Sequence, residues 1–357
     1  MTELRVGLVL CSSSAQPIPS TRIAVLNMLP FFLSAGLQPR VLFEPLQPSE
    51  TPDLTAVAAL AINAGCDVVL LQKVRGLGAV ALAHQLRAAG VRTVYIVCDL
   101  VDVPMVEATD ATVVVTEYLR SLYPQRLMPR IHVVHDGIEQ PSAGKDDWGS
   151  ATGARHCPLK AVLVTSACLE RLPVLGHPPA WLNVRIVGRY TRGLRKWREM
   201  RWTWATQSAA ERLERVRFLL DRRIECVPWD PEGVYREMMQ ADIAVIPVEA
   251  VAADTGASVP LAWQVKSENR LTMKMSMGLP VIATPIPSYE TVIEHGVNGF
   301  FARSARDWEA CLSFLRDPAR RREMGLAARA SVMNTYSMQA QAAKLISVLR
   351  EVCATPP

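Results

Sequence analysis

Four polar residues stand together where the sequence predicts the start of a helix over 268–277: Lys266, Ser267, Asn269 and Arg270. Ser267 is a suitable N-cap, and Gly278 followed by Pro280 predicts the end of the helix. Unpaired backbone N–H groups and two cations at a helix start bind anions, phosphates in particular. Two cations there can neutralise a diphosphate without a metal. The alternative is a capped surface helix with a solvated lysine and arginine.

Short apolar runs alternate with helix-forming stretches along the chain, and these elements must position the polar cluster. The predicted strands are residues 4–10, 38–44, 66–72, 91–99, 111–116, 130–136, 160–167, 183–188, 222–229, 241–248, 280–285 and 298–302. Because these runs are continuously apolar and helices separate them, they predict parallel sheets covered on both faces. A first helix is expected after Ser20 as its N-cap, with Ile23, Leu26 and Leu33 on one face.

A polar stretch divides the chain into two predicted domains. Residues 141–158 are rich in glycine, serine, proline and charge, which is typical of a linker. We expect an N-terminal domain over 1–140, a C-terminal domain over 159–336, and a last helix over 337–357 that crosses back to the first domain. The predicted fold class is α/β, with two Rossmann-like doubly wound domains facing a cleft.

The composition excludes several classes of protein. Half of the residues are hydrophobic and 20% are charged, which is typical of a globular chain. The eight cysteines include no Cys-x-x-Cys pair and the six histidines are dispersed, so we expect reduced thiols and no zinc cluster. The chain has no apolar run of about 18–20 residues and no leader pattern. We therefore expect a cytoplasmic protein.

One basic stretch accounts for the net charge of +5. Residues 188–207 carry six basic residues and three tryptophans. Lysine and arginine side chains among tryptophans suit an anionic membrane surface. One hypothesis is therefore peripheral docking through 189–204 at the inner face of the plasma membrane. The other is that the tryptophans pack under a sheet while the arginines stay solvated. No reading helix or aromatic platform accompanies the charge, so nucleic acid is not an expected partner.

The second half of the chain carries ordered motifs of a known family. They are VPWDPEGVYREMMQADIAVIPV (227–248), MSMGLPVIAT (275–284), EHGVNGFF (294–301) and DPARRREMGLAARASV (317–332). In this order they resemble the donor domain of GT-B glycosyltransferases, close to glycosyltransferase family 4, with a match that spans 227–351. The first domain is similar more loosely.

The resemblance implies a nucleotide-sugar as the donor substrate, with no metal and no other cofactor. Pro228 and Trp229 would lie under the nucleotide base, and Lys266 and Arg270 would hold the diphosphate. The other implied donor contacts are Ser267, Asn269, Thr284, Ser288 and Tyr289. Packing at a strand end is an equal alternative for Trp229, and the loop over 284–290 is equally suited to a purely structural turn.

The chain departs from the family at several motif positions. Many members have Glu-x7-Glu before the motif glycine, and those two positions are Val265 and Met273 here. Residues 287–288 replace a Gly-Gly loop, and a phosphate motif expected near the start of the second domain is missing. Lys266 and Arg270 are candidates to take over its role.

The resemblance places a saccharide or lipid-linked acceptor in the first domain. Ser20, Thr21 and Arg22 are the predicted acceptor contacts at a helix start, and Arg22 can pair with an acceptor phosphate or carboxylate. A surface arginine without a partner is the alternative for Arg22.

Three carboxylates are the catalytic candidates: Asp99, Asp102 and Glu249. Asp254 and Glu268 are further cleft candidates, and helix capping is an equal alternative for Asp99 and Asp102. An inverting transfer needs one carboxylate as general base. In a retaining transfer, the usual outcome in the family, the diphosphate itself can take the acceptor proton.

The sequence therefore predicts a metal-independent glycosyltransferase that acts in cell-envelope polysaccharide synthesis, retaining rather than inverting. Because the paired carboxylates are missing, a catalytically inactive GT-B protein that binds or scaffolds is the alternative. A nucleotide-sugar epimerase is a third hypothesis, although its expected histidine and acidic residues are not apparent. The base, the sugar and the acceptor stay open.

Overall fold

The computed structural model describes residues 3–148, 158–165, 178–188, 208–248 and 262–354. The chain divides into two units: Met1–Glu139 with Pro260–Asn269 and Asn334–Pro357, and Gln140–Val259 with Arg270–Met333. Each unit contains a six-stranded sheet in which every strand pair is parallel. The predicted fold class of two doubly wound domains is confirmed, and all twelve strands lie within one residue of the predicted runs or inside them.

In the first unit the strands are β1 Leu4–Val9, β2 Leu37–Phe43, β3 Val68–Gln72, β4 Arg92–Val97, β5 Ala111–Val114 and β6 Ile131–Val133. The helices are α1 Pro19–Ala24, α2 Leu29–Ser34, α3 Val57–Asn63, α4 Leu77–Ala88, α5 Val103–Ala108 and α6 Glu117–Ser121. The strand order is β2-β1-β3-β4-β5-β6. The order reverses between β1 and β3, which is where doubly wound sheets bind ligands at their carboxyl edge.

Two apolar layers cover the first sheet. Along β3, Val69 and Leu71 join one layer, while Val68 and Leu70 join the other. This alternation follows from strand geometry, because successive side chains point to opposite faces. The sheet is therefore buried on both faces, as its continuously apolar strands predict.

The C-terminal helix, Met338–Ala354, packs on the first unit. Its buried face includes Ala342, Leu345 and Leu349, which join the same layer as Val68 and Leu70. The hydroxyl of Ser337 accepts a 3.2 Å hydrogen bond from the backbone N–H of Ala340 and so caps the start of this helix.

In the second unit the strands are β7 Leu159–Val164, β8 Leu182–Gly188, β9 Ile224–Pro228, β10 Ile243–Ile246, β11 Val281–Ala283 and β12 Phe300–Phe301. The helices are α7 Ala209–Leu220, α8 Gly233–Met239, α9 Asn269–Ser276, α10 Pro287–Glu290, α11 Ala305–Phe314 and α12 Pro318–Met333, and the C-terminal helix is α13. All of α9 but its first residue falls in this unit. The strand order β12-β11-β10-β7-β8-β9 is the doubly wound order of dinucleotide-binding folds.

Helix α9 ends at Ser276, and Gly278 follows it at the predicted stop. The glycine has a φ of +77°, a left-handed conformation that favours glycine at a helix end. Its carbonyl oxygen accepts a 2.7 Å hydrogen bond from Nε1 of Trp148. Arg321 in turn donates to the Trp148 carbonyl from Nε at 3.1 Å and Nη2 at 2.8 Å. These contacts hold the segment that precedes residue 149 on the second unit.

The helix predicted after Ser20 differs from the observed one. Helix α1 begins at Pro19, so Ser20 lies inside its first turn, and Ile18 is the cap residue without a side-chain hydrogen bond. A 3-10 turn and a second short helix follow, and Pro30 lies in the first turn of that helix, where its missing backbone N–H leaves no hydrogen bond unmade. Ser20 was therefore a wrong N-cap prediction.

Candidate functional site

The segment before α9 is held in the first unit by Val265, Ser267 and Glu268. Val265 is 3% exposed and packs in one apolar layer of the first sheet. The hydroxyl of Ser267 hydrogen-bonds the carboxylate of Asp136, two residues before α9 begins. Glu268 is 1% exposed. Lys266, within this stretch, and Asn269, the first residue of α9, are half-buried.

Asp136 is a buried acid that follows β6. Burial raises its pKa to about 6, and the nearby carboxylates of Glu268 and Glu139 act in the same direction. The hydrogen bond from Ser267 and the neighbouring His135 act in the opposite direction. Two acids, a histidine and a hydroxyl therefore meet where β6 leaves the carboxyl edge of the first sheet.

Glu268 contacts His135 at the centre of this group. Its Oε1 lies 2.6 Å from His135 Nδ1, and its side chain is 2% exposed. Neither oxygen of Glu268 has an aligned hydrogen bond within the described residues. The contact with His135 is thus electrostatic.

His135 is held from three further sides. Its Nδ1 lies 3.0 Å from the carbonyl oxygen of Val115, just after β5. Its backbone N–H donates to Oε1 of Gln341 at 2.9 Å, and its ring lies 5.0 Å from the ring of Tyr336. The imidazole is 16% exposed, and no partner of its Nε2 occurs among the residues that the structure describes.

In the second unit, α9 carries a buried lysine. Lys274 is 0% exposed, and its Nζ donates a 2.8 Å hydrogen bond to the carbonyl oxygen of Arg270. Burial, together with the positive charge of Arg270, lowers the pKa of Lys274 to about 7. Arg270 is half-buried in the first turn of α9. The helix thus bears one cation near its start and a second one turn later.

Two loops of the second unit carry other predicted donor contacts. Pro228 ends β9, and the backbone N–H of Trp229 donates to the Gly188 carbonyl at 2.7 Å. Both residues are half-buried. The hydroxyl of Thr284 accepts a 3.1 Å hydrogen bond from the backbone N–H of Val248, which joins the loops after β10 and β11.

The two hydroxyl residues of α10 are buried. Tyr289 is 1% exposed, with its side chain among the core residues. Ser288 is 3% exposed, and its Oγ has no hydrogen-bond partner within the described chain. An unpaired buried hydroxyl is costly, so Ser288 remains the better candidate of the two for a ligand contact.

Thr21, a predicted acceptor contact, is fully buried in a polar network at the reversal of the first sheet. Its hydroxyl donates to Oε1 of Gln72 at 3.0 Å and accepts from the hydroxyl of Ser12 at 2.8 Å. The Ser12 hydroxyl also accepts from the backbone N–H of Ile18. These contacts hold the loop after β1 in place, so the Thr21 hydroxyl has a structural role. Ser20 is half-buried beside it.

Arg22 has an anionic partner inside its own unit. Its Nε and Nη2 lie 2.7 and 3.0 Å from the two oxygens of Glu139. The side chains of Arg22 and Glu139 are 21% and 15% exposed. The alternative of a surface arginine without a partner is therefore wrong, and an acceptor anion would have to share Arg22 with Glu139.

The two first-unit carboxylates proposed for catalysis have different surroundings. Asp99 is 46% exposed and accepts a 2.7 Å hydrogen bond from Nζ of Lys73, which also contacts Glu50 at 3.1 Å. Asp102 caps α5, with its carboxylate accepting from the backbone N–H of Met105 at 3.1 Å. The capping alternative is thus observed for Asp102, while Asp99 stays accessible beside a lysine.

Three predicted features lie outside the described residues: Glu249, Asp254 and the basic segment 189–204. Among the described residues, no group of three or more histidine, cysteine or acidic side chains is placed to hold a metal ion. No helix in the described ranges is both long and apolar enough to cross a membrane.

His135 and Lys73 were missed by sequence reasoning, as was the link between His135 and Glu268. Both residues stand next to strand ends, His135 in VVHDGIE after β6 and Lys73 directly after β3. The available signal was a titratable residue at the carboxyl end of a parallel strand, the edge at which such sheets bind ligands.

The chain is similar to glycosyltransferases in sequence family and in fold. Residues 179–347 match the family model described as glycosyl transferase-like. No curated protein has a significant sequence match to the chain.

Solved structures match over the whole length. A glycosyltransferase from Rickettsia africae has a TM-score of 0.67 at 12% identity, covering 99% of both chains. HepE from Anabaena, solved with UDP-glucose, has a TM-score of 0.65 at 13% identity, covering 97% of this chain and 100% of that one. Sucrose-phosphate synthase from Thermosynechococcus elongatus has a TM-score of 0.66 at 13% identity, covering 98% and 99%. This chain therefore has a glycosyl transferase-like domain over residues 179–347 and the two-domain GT-B fold.

Proposed function

We propose that this chain transfers a sugar from a nucleotide-sugar donor to a hydroxyl group of a saccharide or lipid-linked glycan, as a step in cell-envelope polysaccharide synthesis. The observation that carries the proposal is the cationic start of α9 within the stretch that matches the family model. HepE, which shares the fold, was solved with UDP-glucose, and this supports a nucleotide-sugar as the donor.

The start of α9 supplies the charge that a diphosphate needs. Arg270 lies in the first turn and Lys266 three residues before the helix begins. A helix start carries partial positive charge and unpaired N–H groups, and an arginine binds a phosphate in a two-pronged manner. Leaving-group charge can be neutralised by these groups, so we propose a metal-independent transfer. In this proposal Arg270 and Lys266 neutralise the charge of the leaving diphosphate.

The base and the sugar are assigned to the loops of the second unit. Trp229 lies directly after β9 with its ring half-buried, and it offers an apolar surface to a nucleotide base. Ser288 offers an unpaired hydroxyl to the sugar or the phosphate. Thr284 acts indirectly, because its hydroxyl already holds the loop after β10.

The acceptor is assigned to the carboxyl edge of the first sheet. Lys73 and Asp99 form an accessible pair there, and together they can bind the hydroxyl groups of a saccharide. We place the reaction in the cytoplasm at the inner face of the plasma membrane, where lipid-linked acceptors are found. The basic, tryptophan-rich sequence of 189–204 suits an anionic lipid surface.

A non-catalytic nucleotide-sugar binding protein is the second candidate, and one observation favours it. Val265 stands where a family carboxylate is expected, and it is buried in the apolar layer of the first sheet. A buried valine cannot hydrogen-bond a sugar or a ribose. The second expected carboxylate is Met273.

The test is a thermal-shift screen against UDP, GDP, CMP and dTDP, each with and without EDTA, followed by hydrolysis assays. The donors assayed are UDP-glucose, UDP-galactose, UDP-N-acetylglucosamine, GDP-mannose, CMP-sialic acid and dTDP-rhamnose. We expect one nucleotide to raise the melting temperature regardless of EDTA, and its sugar conjugate to be hydrolysed. Binding without turnover supports the second candidate. No binding of any nucleotide contradicts both.

A further inference from the structure

The geometry points to His135 as the general base of this transfer, oriented by the Val115 carbonyl and charge-compensated by Glu268. We propose that His135 Nε2 takes the proton of the acceptor hydroxyl, and that the reaction inverts the anomeric carbon. This inference rests on the proposed sugar transfer and adds to it a catalytic residue, a positioning residue and a stereochemical outcome.

The surroundings of Nδ1 determine which ring nitrogen carries the proton. Nδ1 lies 3.0 Å from the Val115 carbonyl oxygen and 2.6 Å from Glu268 Oε1. A carbonyl oxygen only accepts hydrogen bonds, so Nδ1 must be the protonated nitrogen. In the neutral ring Nε2 then has a free lone pair, which is the form that a general base needs.

The negative charge of Glu268 favours the protonated form of His135. A carboxylate with a 2% exposed side chain and no aligned hydrogen bond is expensive to bury without a positive neighbour. When Nε2 takes a proton, the ring becomes an imidazolium 2.6 Å from that carboxylate. The buried charge of Glu268 therefore stabilises the state in which His135 holds the proton, which is the electrostatic part of what the acid of a catalytic triad does.

The ring is fixed and its free nitrogen is accessible. Tyr336 packs at 5.0 Å from it, Gln341 holds its backbone N–H, and Val115 and Glu268 face Nδ1. The imidazole keeps 16% of its surface exposed, at the carboxyl edge of the first sheet. A base for the acceptor belongs on the unit to which the acceptor is assigned.

The step balances as a single displacement. The acceptor O–H proton moves to His135 Nε2, while the acceptor oxygen forms a bond to the anomeric carbon. The bond from that carbon to the diphosphate oxygen breaks, and the nucleoside diphosphate leaves with the electron pair. An attack from the face opposite the leaving group inverts the configuration. Retention of configuration, which the family resemblance implies, requires no protein base. A retaining mechanism would therefore give His135 and Glu268 no role in the proton transfer.

The pair is tested first without turnover. Proton-detected ¹⁵N spectra of histidine-labelled protein should show His135 protonated at Nδ1 in the wild type. The Glu268→Gln variant should retain the fold and shift the His135 ring nitrogens. An Nε2–H tautomer in the wild type would overturn the proposal, whatever the enzyme does with a nucleotide-sugar.

The reaction is tested with water as the acceptor. For UDP-glucose, an α-linked donor, rapid ¹H NMR should show β-glucose first, and the same assay applies to any other donor of the panel. His135→Ala should lower kcat by about 10²- to 10⁴-fold, with partial recovery in added imidazole, and should leave donor binding by calorimetry unchanged. Glu268→Gln should lower kcat by about 10-fold or more with little change in KM. His84→Ala, on the exposed face of α4, is the matched control and should behave as wild type.

Each outcome decides one claim. An α-glucose first product, or an His135→Ala kcat close to that of the wild type, overturns the base while the proposed transfer stands. Absence of turnover by the wild type with every donor contradicts the proposed transfer, and the base falls with it, even where the ¹⁵N spectra support the pair.

Discussion

The guanidinium of Arg22 and the carboxylate of Glu139 form a two-pronged ion pair, with Nε 2.7 Å from Oε1 and Nη2 3.0 Å from Oε2. Nδ2 of Asn27 adds a third hydrogen bond to the same carboxylate at 2.8 Å. The pair joins α1 to the chain that follows β6. It therefore organises the carboxyl edge of the first sheet even without an acceptor.

Arg22→Ala should lower the free energy of unfolding by about 1–3 kcal/mol, because it leaves a mostly buried Glu139 without its main partner. Urea denaturation measures the change. The matched control is Arg126→Ala, whose ion pair with Glu107 is 62% and 46% exposed, and which should cost about 0–1 kcal/mol. Equal losses in the two variants would mean that the Arg22 pair adds nothing beyond a surface contact.

Lys266→Ala and Arg270→Ala should each weaken nucleoside diphosphate binding by about 10- to 100-fold, since each removes a charge-assisted contact to phosphate. Isothermal titration calorimetry with the nucleotide found in the screen measures it. Melting temperatures should stay close to that of the wild type. Arg306→Ala, at an exposed position of α11, is the control. Unchanged affinity in both variants would remove the phosphate assignment.

Lys274→Met should stabilise the protein near neutral pH. The folded-state pKa of Lys274, about 7, lies below its unfolded value, so the unfolded chain binds more protons between the two values. The contribution of Lys274 to the free energy of unfolding of the wild type therefore rises with pH above about 7, by up to about 2 kcal/mol at pH 9. The difference in free energy of unfolding between the variant and the wild type shrinks over the same range.

The measurement for Lys274 is urea denaturation of wild type and variant at both pH values, compared as a difference so that other groups cancel. Lys344→Met, at an exposed position of α13, should show no such trend. If the stabilisation by Lys274→Met grew at alkaline pH, the result would contradict a lowered pKa of Lys274.

Asp136→Asn should also stabilise at neutral pH, with the opposite pH trend. The folded-state pKa of Asp136, about 6, lies above its unfolded value, so its contribution is fully present below about pH 4 and is lost as the pH rises through 6. The variant should thus gain about 1–3 kcal/mol over wild type at pH 7 and little at pH 4. Denaturation at the two pH values measures this.

Ser267→Ala offers an independent check on Asp136. Removing the hydroxyl that donates to the carboxylate raises the pKa of Asp136 further, so the pH dependence should extend to higher pH. A narrower dependence in Ser267→Ala would show that the hydroxyl does not donate to Asp136.

Gly325→Ala should destabilise strongly, by about 2 kcal/mol or more, although alanine is normally the better helix residue. A Cβ at Gly325 of α12 would lie 2.2 Å from the Gly278 carbonyl oxygen and 2.4 Å from Nε1 of Trp148. Gly78→Ala in α4 meets nothing within 4 Å and should be neutral or stabilising. Thermal denaturation compares them, and a tolerated Gly325→Ala would contradict the close packing of α12 on the end of α9.

The sequence by itself determined the two parallel sheets, their twelve strands and the position of α9. Apolar strand runs and helix patterns are local signals. A parallel sheet is buried on both faces, so its strands are continuously apolar and can be recognised in the sequence. The stop at Gly278 was equally readable, because only a left-handed residue ends the helix there. The predicted start of the first helix was wrong because Pro19, which fits the first helical position, begins the helix one residue before Ser20.

Only the tertiary structure decided which candidate side chains are available and which are already paired. Thr21 and Asp102 are engaged in holding a loop and a helix, and Arg22 is held by a glutamate 117 residues further along. His135 and Glu268 are 133 residues apart, so no local pattern could join them. Hydrogen bonds and ion pairs depend on separations of a few ångströms, and the fold sets those separations between residues that are distant in sequence.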